Sequence, residues 1–505
     1  MVAEVIEVTE YYAPSDAQLR GNPLATVHPP LSPELLGTLI SSSVAFSDDE
    51  LLHPPHVRMH YTLRLMEYFY PQPHQCEFAW ALWILLLNGY KHRNPLKKDT
   101  TTKFRSMCES ILAGTPQVDD QASFSSEAWC ATLVGTPGTG KSATARGVLR
   151  RLFPDLIHHS KYGPLFQLGH IVVQVPKNCT GKTLAQAVYY QLLAAARQTG
   201  HPIPFLQSRP TTEPEYVHAV SLIAGRLNVG VMMFEEAQNL FSGTGRMDAQ
   251  AMKFLTGIIN TLGIPALFVG VWPCLALLER ELVIGRRLTS FAHGRFRRMQ
   301  EGSADWVEFM DGLETVQFLT NRRRFDEACR ARFYFHTQGI HDACVKLDVI
   351  AQIRAIQSGK ERLSAELIDE VAPEHMSLIA PECERLRQGV PEESVGLFDG
   401  ARVDFQKYAL QLMAKPTLPT NKRATDRSSE DAPSTRPTPG GESKVKPLIS
   451  PKSAKRRAAV EPAFLALDSS DLRRIAFEAS RDKVPHERAL RVEGYVCNLA
   501  DELVA

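Results

Sequence analysis

Two stretches of the chain combine residue types that can do chemistry together. The first, GTPGTGKS at residues 135–142, fits the pattern G-x-x-x-x-G-K-[ST] in full. It follows the apolar run CATLV and precedes the helical pattern ATARGVLRRLF, the strand-to-helix context that the pattern needs. Glycines at 135, 138 and 140 let backbone N–H groups turn inward around a phosphate, and the helix that follows adds its N-terminal dipole. The expected nucleotide contacts are therefore Gly135, Thr136, Pro137, Gly138, Thr139, Gly140, Lys141, Ser142 and Ala143. Lys141 reaches the outer phosphates of ATP, and the Ser142 hydroxyl holds Mg2+.

The second stretch, VMMFEEAQNL at residues 231–240, runs four apolar residues into two carboxylates. Buried carboxylates are costly unless paired, protonated or bound to a cation. In nucleotide hydrolysis one acid at the tip of a neighbouring strand holds the magnesium shell, and a second orients and deprotonates water. Glu235 fits the metal role beside Ser142, and Glu236 fits the base. The usual first acid is Asp, so the extra methylene of Glu235 points to altered metal geometry and slow hydrolysis. The plain alternative is a helix start with two solvated acids.

Three further stretches bear on the same chemistry. In IPALFVGVWPC, Val271 and Trp272 stand where ring-type ATPases carry a polar Thr or Asn near the outermost phosphate. GRRLTSFAHGRFRRMQ holds arginines at 286, 287, 295, 297 and 298. Of these, Arg295 and Arg297 are the candidates to reach a neighbouring subunit's nucleotide as an arginine finger, the rival being a solvated basic face. The loop VPKNCTGKT carries Lys177 and Lys182, candidates for DNA phosphate contacts or simply the start of a helix. No zinc finger, homeodomain pattern or aromatic RNP motif occurs, so any DNA contact should fall on the backbone rather than on base edges.

These residues need a scaffold, and the hydropathy pattern supplies one. Short apolar runs at 130–134, 170–175, 230–234 and 266–271 alternate with helical stretches such as TLAQAVYYQLLAAARQTG and MDAQAMKFLTGIINTL. That alternation implies a parallel sheet covered by helices on both faces. Upstream, residues to about 60 are rich in Pro and Ser and read as loop. Two helical stretches then flank YPQPHQ, where Pro71 and Pro73 break the helix. The run FAWALWILLLNGY is too short to span a bilayer and reads as a buried helix. After about 315 the strand signal fades into a helical subdomain, in which LSAELIDEVA opens on a cap at Ser364 with Glu366 in its first turn.

Between Lys415 and Arg457 the chain has seven prolines, eleven basic and four acidic residues, too little apolar surface to fold. The expected organisation is an N-terminal helical extension over 1–120, an α/β nucleotide-binding core over 121–314 and a helical lid over 315–410. A flexible basic linker over 411–460 and a C-terminal helical docking element over 461–505 complete it. A chain of 505 residues suits about three folded domains. The hydrophobic fraction of 44 % and charged fraction of 22 % are those of a soluble globular protein. A net charge of +1 means that any basic surface is local. Nine scattered cysteines, without a C-x-x-C pair, read as reduced thiols in the cytoplasm, and the acidic N-terminus has no secretory core.

The motifs, in their order, resemble TnsC-type proteins, the AAA+ regulators of Tn-seven-type DNA transposons, which are related to TniB. GYKHRNP, LVGTPGTGKS, VMMFEEAQNL, IPALFVGVW and the TQGI stretch carry the resemblance over roughly residues 60 to 375. The phosphate loop and acid pair are generic to AAA+ proteins; the GY-x-x-RNP and TQGI elements are more specific. The resemblance implies an AAA+ P-loop core and a slow ATPase that assembles as a ring or helical homo-oligomer on double-stranded DNA. It implies partners too: a target-selector protein met by the N-terminal region, and transposase and endonuclease subunits docked by the tail. Two other readings stand beside it. One is a non-hydrolysing nucleotide-switch scaffold; the other is an AAA+ motor unrelated to transposition.

Overall fold

A computed structural model describes residues 5–27, 31–112, 129–153, 156–200, 210–241, 251, 254–255, 259, 262–274, 292–377, 379–394 and 413. All of them belong to one unit, Met1–Pro419; the expected linker apart from Met413, the docking element, Arg286, Arg287 and most of the helical stretch before Leu262 lie outside the described residues.

The central sheet has five parallel strands in the order β5-β6-β7-β2-β8. These are β2 (Cys130–Gly135), β5 (His170–Gln174), β6 (Val231–Glu235), β7 (Ala266–Gly270) and β8 (Ala292–Phe296). Strands β2, β6 and β7 are buried along their whole length, which explains why their sequences read as unbroken apolar runs rather than alternating ones. The sequence pattern located four of the five; β8, with AHGRF, has too mixed a composition to stand out. A second, three-stranded sheet joins β1 (Val5–Glu7), β3 (Leu156–His158) and β4 (Phe166–Gln167) in the order β1-β3-β4.

Before the core come α1 (Pro33–Ile40), α2 (Pro55–Tyr61), α3 (Pro73–Lys91) and α4 (Lys98–Leu112). Thus the stretch read as loop up to residue 60 holds a helix at Pro33, capped by the Ser32 hydroxyl. Helix α3 contains the long apolar run. Pro73 stands at its first turn, where no N–H is needed, and the Gln75 side chain accepts from the Gln72 amide at 2.9 Å. Among the described residues no helix is long and apolar enough to cross a membrane. Instead α3 lies on the sheet: Phe78, Leu82, Trp83 and Leu86 share a core with Leu133, Val231 and Leu267. The GYKHRNP motif ends this helix. Buried Arg93 donates to the carbonyls of Gly89 (2.7 Å), Val229 (2.6 Å) and Gly230 (3.4 Å), tying α3 to the entry of β6. Helix α3 thereby joins the N-terminal segment to the α/β core.

Helix α5 (Lys141–Leu152) shares the α3 face, while α6 (Gly181–Gln198) and α7 (Glu213–Arg226) pack on the other through Leu184, Val188, Val220 and Ile223. The lid follows: α8 (Ala304–Leu313), α9 (Glu327–Thr337), α10 (His341–Gln357), α11 (Ala365–His375) and α12 (Ala380–Arg387). Ser364 caps α11, accepting from the Leu367 amide at 3.3 Å. The lid core also takes in Met59, Leu65 and Tyr68 from the N-terminal segment. Arg58 reinforces that joint with two bonds to Glu361, at 2.7 and 2.6 Å.

Candidate functional site

The phosphate loop leaves the C-terminal end of β2 and turns directly into α5. Two glycines are forced by their neighbours. A Cβ on Gly135 would stand 2.0 Å from the Phe296 carbonyl of β8, and one on Gly140, at φ +86°, would stand 2.6 Å from the Phe69 ring. Because α5 begins at Lys141, the amides of Ser142 and Ala143 belong to its first turn, where the helix itself offers no carbonyl partner. Lys141 Nζ donates to the loop's own carbonyls, Gly135 at 2.9 Å and Thr136 at 2.8 Å. Burial pushes its pKa down to about 8, against the opposing pull of the Glu236 charge. Pro137, Gly138, Gly140, Lys141, Ser142 and Ala143 line a cleft of about 470 Å³. Thr136 and Thr139 are buried behind it, where the Thr139 hydroxyl donates to the Thr136 carbonyl at 2.7 Å.

Across the cleft stand the two acids. Strand β7 lies between β2 and β6, so the acid pair is one strand further from the phosphate loop than a neighbouring strand would be. Glu235 is 4 % exposed, and its carboxylate is already engaged. Arg146 of α5 grips both oxygens, one through Nε at 3.0 Å, and Gln174 Nε2 donates at 3.0 Å. Gln174 is the residue paired with Glu235 in the β5–β6 register, and Arg146 lies one helical turn beyond Ser142. Glu236 takes a left-handed backbone, φ +55°, at the sharp exit of β6. Its carboxylate accepts from Gln238 Nε2 at 2.5 Å, and Gln238 Oε1 accepts from the Val271 amide at 3.3 Å. Gln238 thus supplies a polar side chain at the end of β7, where Val271 has none.

The donor set fits a magnesium nucleotide. A hydroxyl and a carboxylate are hard oxygen ligands, and a lysine with helix-start amides suits phosphate. Ser142 and Glu235 would hold the metal, which when bound neutralises charge on the outer phosphates. Three donors already occupy Glu235, leaving room for one more hydrogen bond on a carboxylate that accepts about four. Its fit is therefore to a metal-bound water. Among the described residues no cluster of three or more His, Cys, Asp or Glu suits a metal held by protein alone.

The lid and the N-terminal segment close the cleft. Ile340 precedes α10, and the Asp342 amide donates to the Gly138 carbonyl at 3.0 Å. The TQGI motif makes this approach possible. Gln338 and Gly339 both take positive φ, and the Gly339 carbonyl accepts from the Met299 amide at 3.1 Å. His341 is wedged against Tyr68, Phe69 and Phe309, and burial pushes its pKa down to about 4, so it is neutral. Met66, Glu67, Tyr68 and Phe69 form the opposite wall. Sequence reading missed this whole wall, together with Arg146, Gln174 and Gln238. Arg146 alone had a local signal, the four-residue step from Ser142.

The remaining candidates lie outside the cleft. Arg295 and Arg297 are exposed, in and just after β8 beside the protein's own phosphate loop. Arg297 pairs with Glu393 at 2.5 Å and stacks over Trp272 at 5.4 Å. Lys177 and Lys182 are both exposed, on the loop after β5 and in the first turn of α6.

Comparison with known proteins adds a family. Residues 110–298 match the family model described as "TniB: Bacterial TniB protein". No curated protein matches the chain. Among solved structures, the Walker-type ATPase PABY2304 of Pyrococcus abyssi aligns with a TM-score of 0.35 and 16 % identity, over 57 % of this chain and 75 % of that one. The matched segment contains the phosphate loop, the acid pair and all five strands of the parallel sheet, and so this chain is similar to TniB proteins over the stretch that builds its candidate nucleotide site.

Proposed function

We propose that this protein is an ATP-dependent regulator of DNA transposition. It binds Mg-ATP at residues 135–143, assembles with further copies of itself on target duplex DNA, and links target-site selection to the transposase. Glu236 acts as the general base of a slow ATPase, while Arg295 or Arg297 completes a neighbouring subunit's site. Lys177 and Lys182 contact DNA phosphates, and repetition along an oligomer turns weak contacts into firm, salt-dependent binding. The observation that carries the reading is the convergence on one cleft of the phosphate loop, the acid pair, the start of α10 and the N-terminal segment, within a TniB-matching core. A nucleotide there touches both the core and the lid, so its presence can set the shape that neighbouring copies meet.

Electron microscopy of the protein with duplex DNA and a slowly hydrolysed ATP analogue tests this. Ordered assemblies are expected with the wild type and none with Lys141→Ala. Equal assembly by the variant would end the proposal.

A second reading has its own support. With Glu235 engaged by Arg146 and Gln174, and Val271 at the end of β7, the same pocket suits a nucleotide switch that scaffolds without turnover. Phosphate release measured with and without DNA decides between them.

A further inference from the structure

Far along the chain, a short segment comes back to the phosphate loop. Past α12 the chain turns at Gly389 (φ +80°), Val390 packs on the lid core, and residues 392–394 make a single 3-10 turn. Beyond it lies the route to the C-terminal extension. Glu392 in this turn is 7 % exposed, although nothing in the nucleotide chemistry uses it. One of its oxygens accepts from the Thr136 hydroxyl at 2.7 Å and from the Arg298 amide at 3.3 Å; the other lies 3.5 Å from Arg298 Nε. Trp272 Nε1 donates to the same Thr136 hydroxyl at 3.0 Å, so that hydroxyl is fixed from two sides. The Thr136 carbonyl in turn receives Lys141 Nζ. Next along, Glu393 holds Arg297, which stacks on the Trp272 ring.

Burying a carboxylate is unfavourable unless charge-assisted bonds compensate, and here they are all spent on one threonine of the loop and the arginine beside it. The Arg297–Glu393 pair is half-exposed and contributes little by itself. The weight of the arrangement falls on Glu392.

We infer that Glu392 is a positioning residue of the nucleotide site: together with Glu393 it clasps the phosphate loop to the point where the chain departs for its C-terminal extension. The inference rests on the P-loop reading of residues 135–142. The clasp holds the loop in its binding shape and slows nucleotide release. Coupling between two sites is reciprocal, so a bound nucleotide tightens the clasp and a partner that displaces residues 390–394 loosens the loop.

Two measurements on the full-length protein test it. Hydrogen–deuterium exchange of peptides covering 130–140, without nucleotide, reads the clasp itself. Stopped-flow release of a fluorescent ATP analogue reads its consequence. Glu392→Ala is expected to raise exchange at 135–140 and to speed release about tenfold, the loss of one buried charge-assisted bond. Exchange across 345–357 in the lid, beyond the Asp342 amide that bonds the loop, stays at its wild-type level. Glu392→Gln keeps a carbonyl oxygen for Thr136 but not the charge and recovers about half of both effects, whereas Glu393→Gln speeds release only about twofold. The inference falls if Glu392→Ala leaves exchange at 135–140 unchanged, or if exchange rises equally in the lid, the mark of a general structural role. Wild-type protein that takes up no analogue would defeat the P-loop reading instead, and the nucleotide-free exchange would still decide the clasp.

Discussion

The phosphate loop and the acid pair face each other across one cleft, yet they are built in opposite ways. The loop's chemical groups are local: eight consecutive residues supply them, and Lys141 satisfies itself on carbonyls five and six residues away. The acid pair is adjacent in sequence, but the state of Glu235 is set from a distance. Arg146, Gln174 and Gln238 come from three different elements and between them engage both carboxylates. A site can thus have one half prepared by its own backbone and the other half tuned by its surroundings. On the function proposed above, the first half decides whether nucleotide binds and the second what happens to it.

The comparison can be broken at its strongest point first. Lys141→Ala should weaken ATP binding about 10³-fold, some 4 kcal/mol, because two charge-assisted bonds to phosphate are lost; calorimetry reads it. Glu236→Gln should leave that affinity intact and lower turnover about 10²-fold, as expected for a general base, in a phosphate-release assay. Were both variants to lose binding equally, the two halves would not be separable.

Smaller effects sharpen it. Arg146→Gln leaves Glu235 with its full charge, so the Mg2+ concentration giving half-maximal ATP binding should fall about tenfold, roughly 1.4 kcal/mol of released electrostatics. An unchanged or raised magnesium requirement would remove Arg146 from that role. The pH dependence tests the loop half again. Since Lys141 without nucleotide titrates near pH 8, phosphate binding above that pH must take up a proton. Affinity should be flat below pH 8 and fall by at most about tenfold per unit above it. An affinity flat to pH 10 would show that Lys141 stays charged. Last, Lys177→Ala and Lys182→Ala should each lower the salt slope of DNA assembly by about one, with nucleotide affinity unchanged.

Much of this was legible without coordinates. Four central strands stood out because parallel strands buried on both faces must be apolar throughout, and the phosphate loop stood out because its glycines, lysine and serine are contiguous between a strand and a helix. Helix α3 was legible as a buried helix, but the surface it packs on was not, for a physical reason. Burial of α3 against the sheet depends on Arg93 finding carbonyls some 136 residues away, and no local period records that. The same holds for Glu392, which meets Thr136 across 256 residues. Gln238 looked like an ordinary polar residue until Val271 was placed beside it.

By itself the amino-acid order determined a parallel α/β core, a nucleotide loop and a pair of acids, because each depends on residues within one strand, one turn or one helix. Tertiary structure alone decided which walls close the cleft, which cation neutralises Glu235, and where the C-terminal route touches the loop. Those outcomes rest on side chains made neighbours by packing, and contacts of that range leave no mark on local sequence.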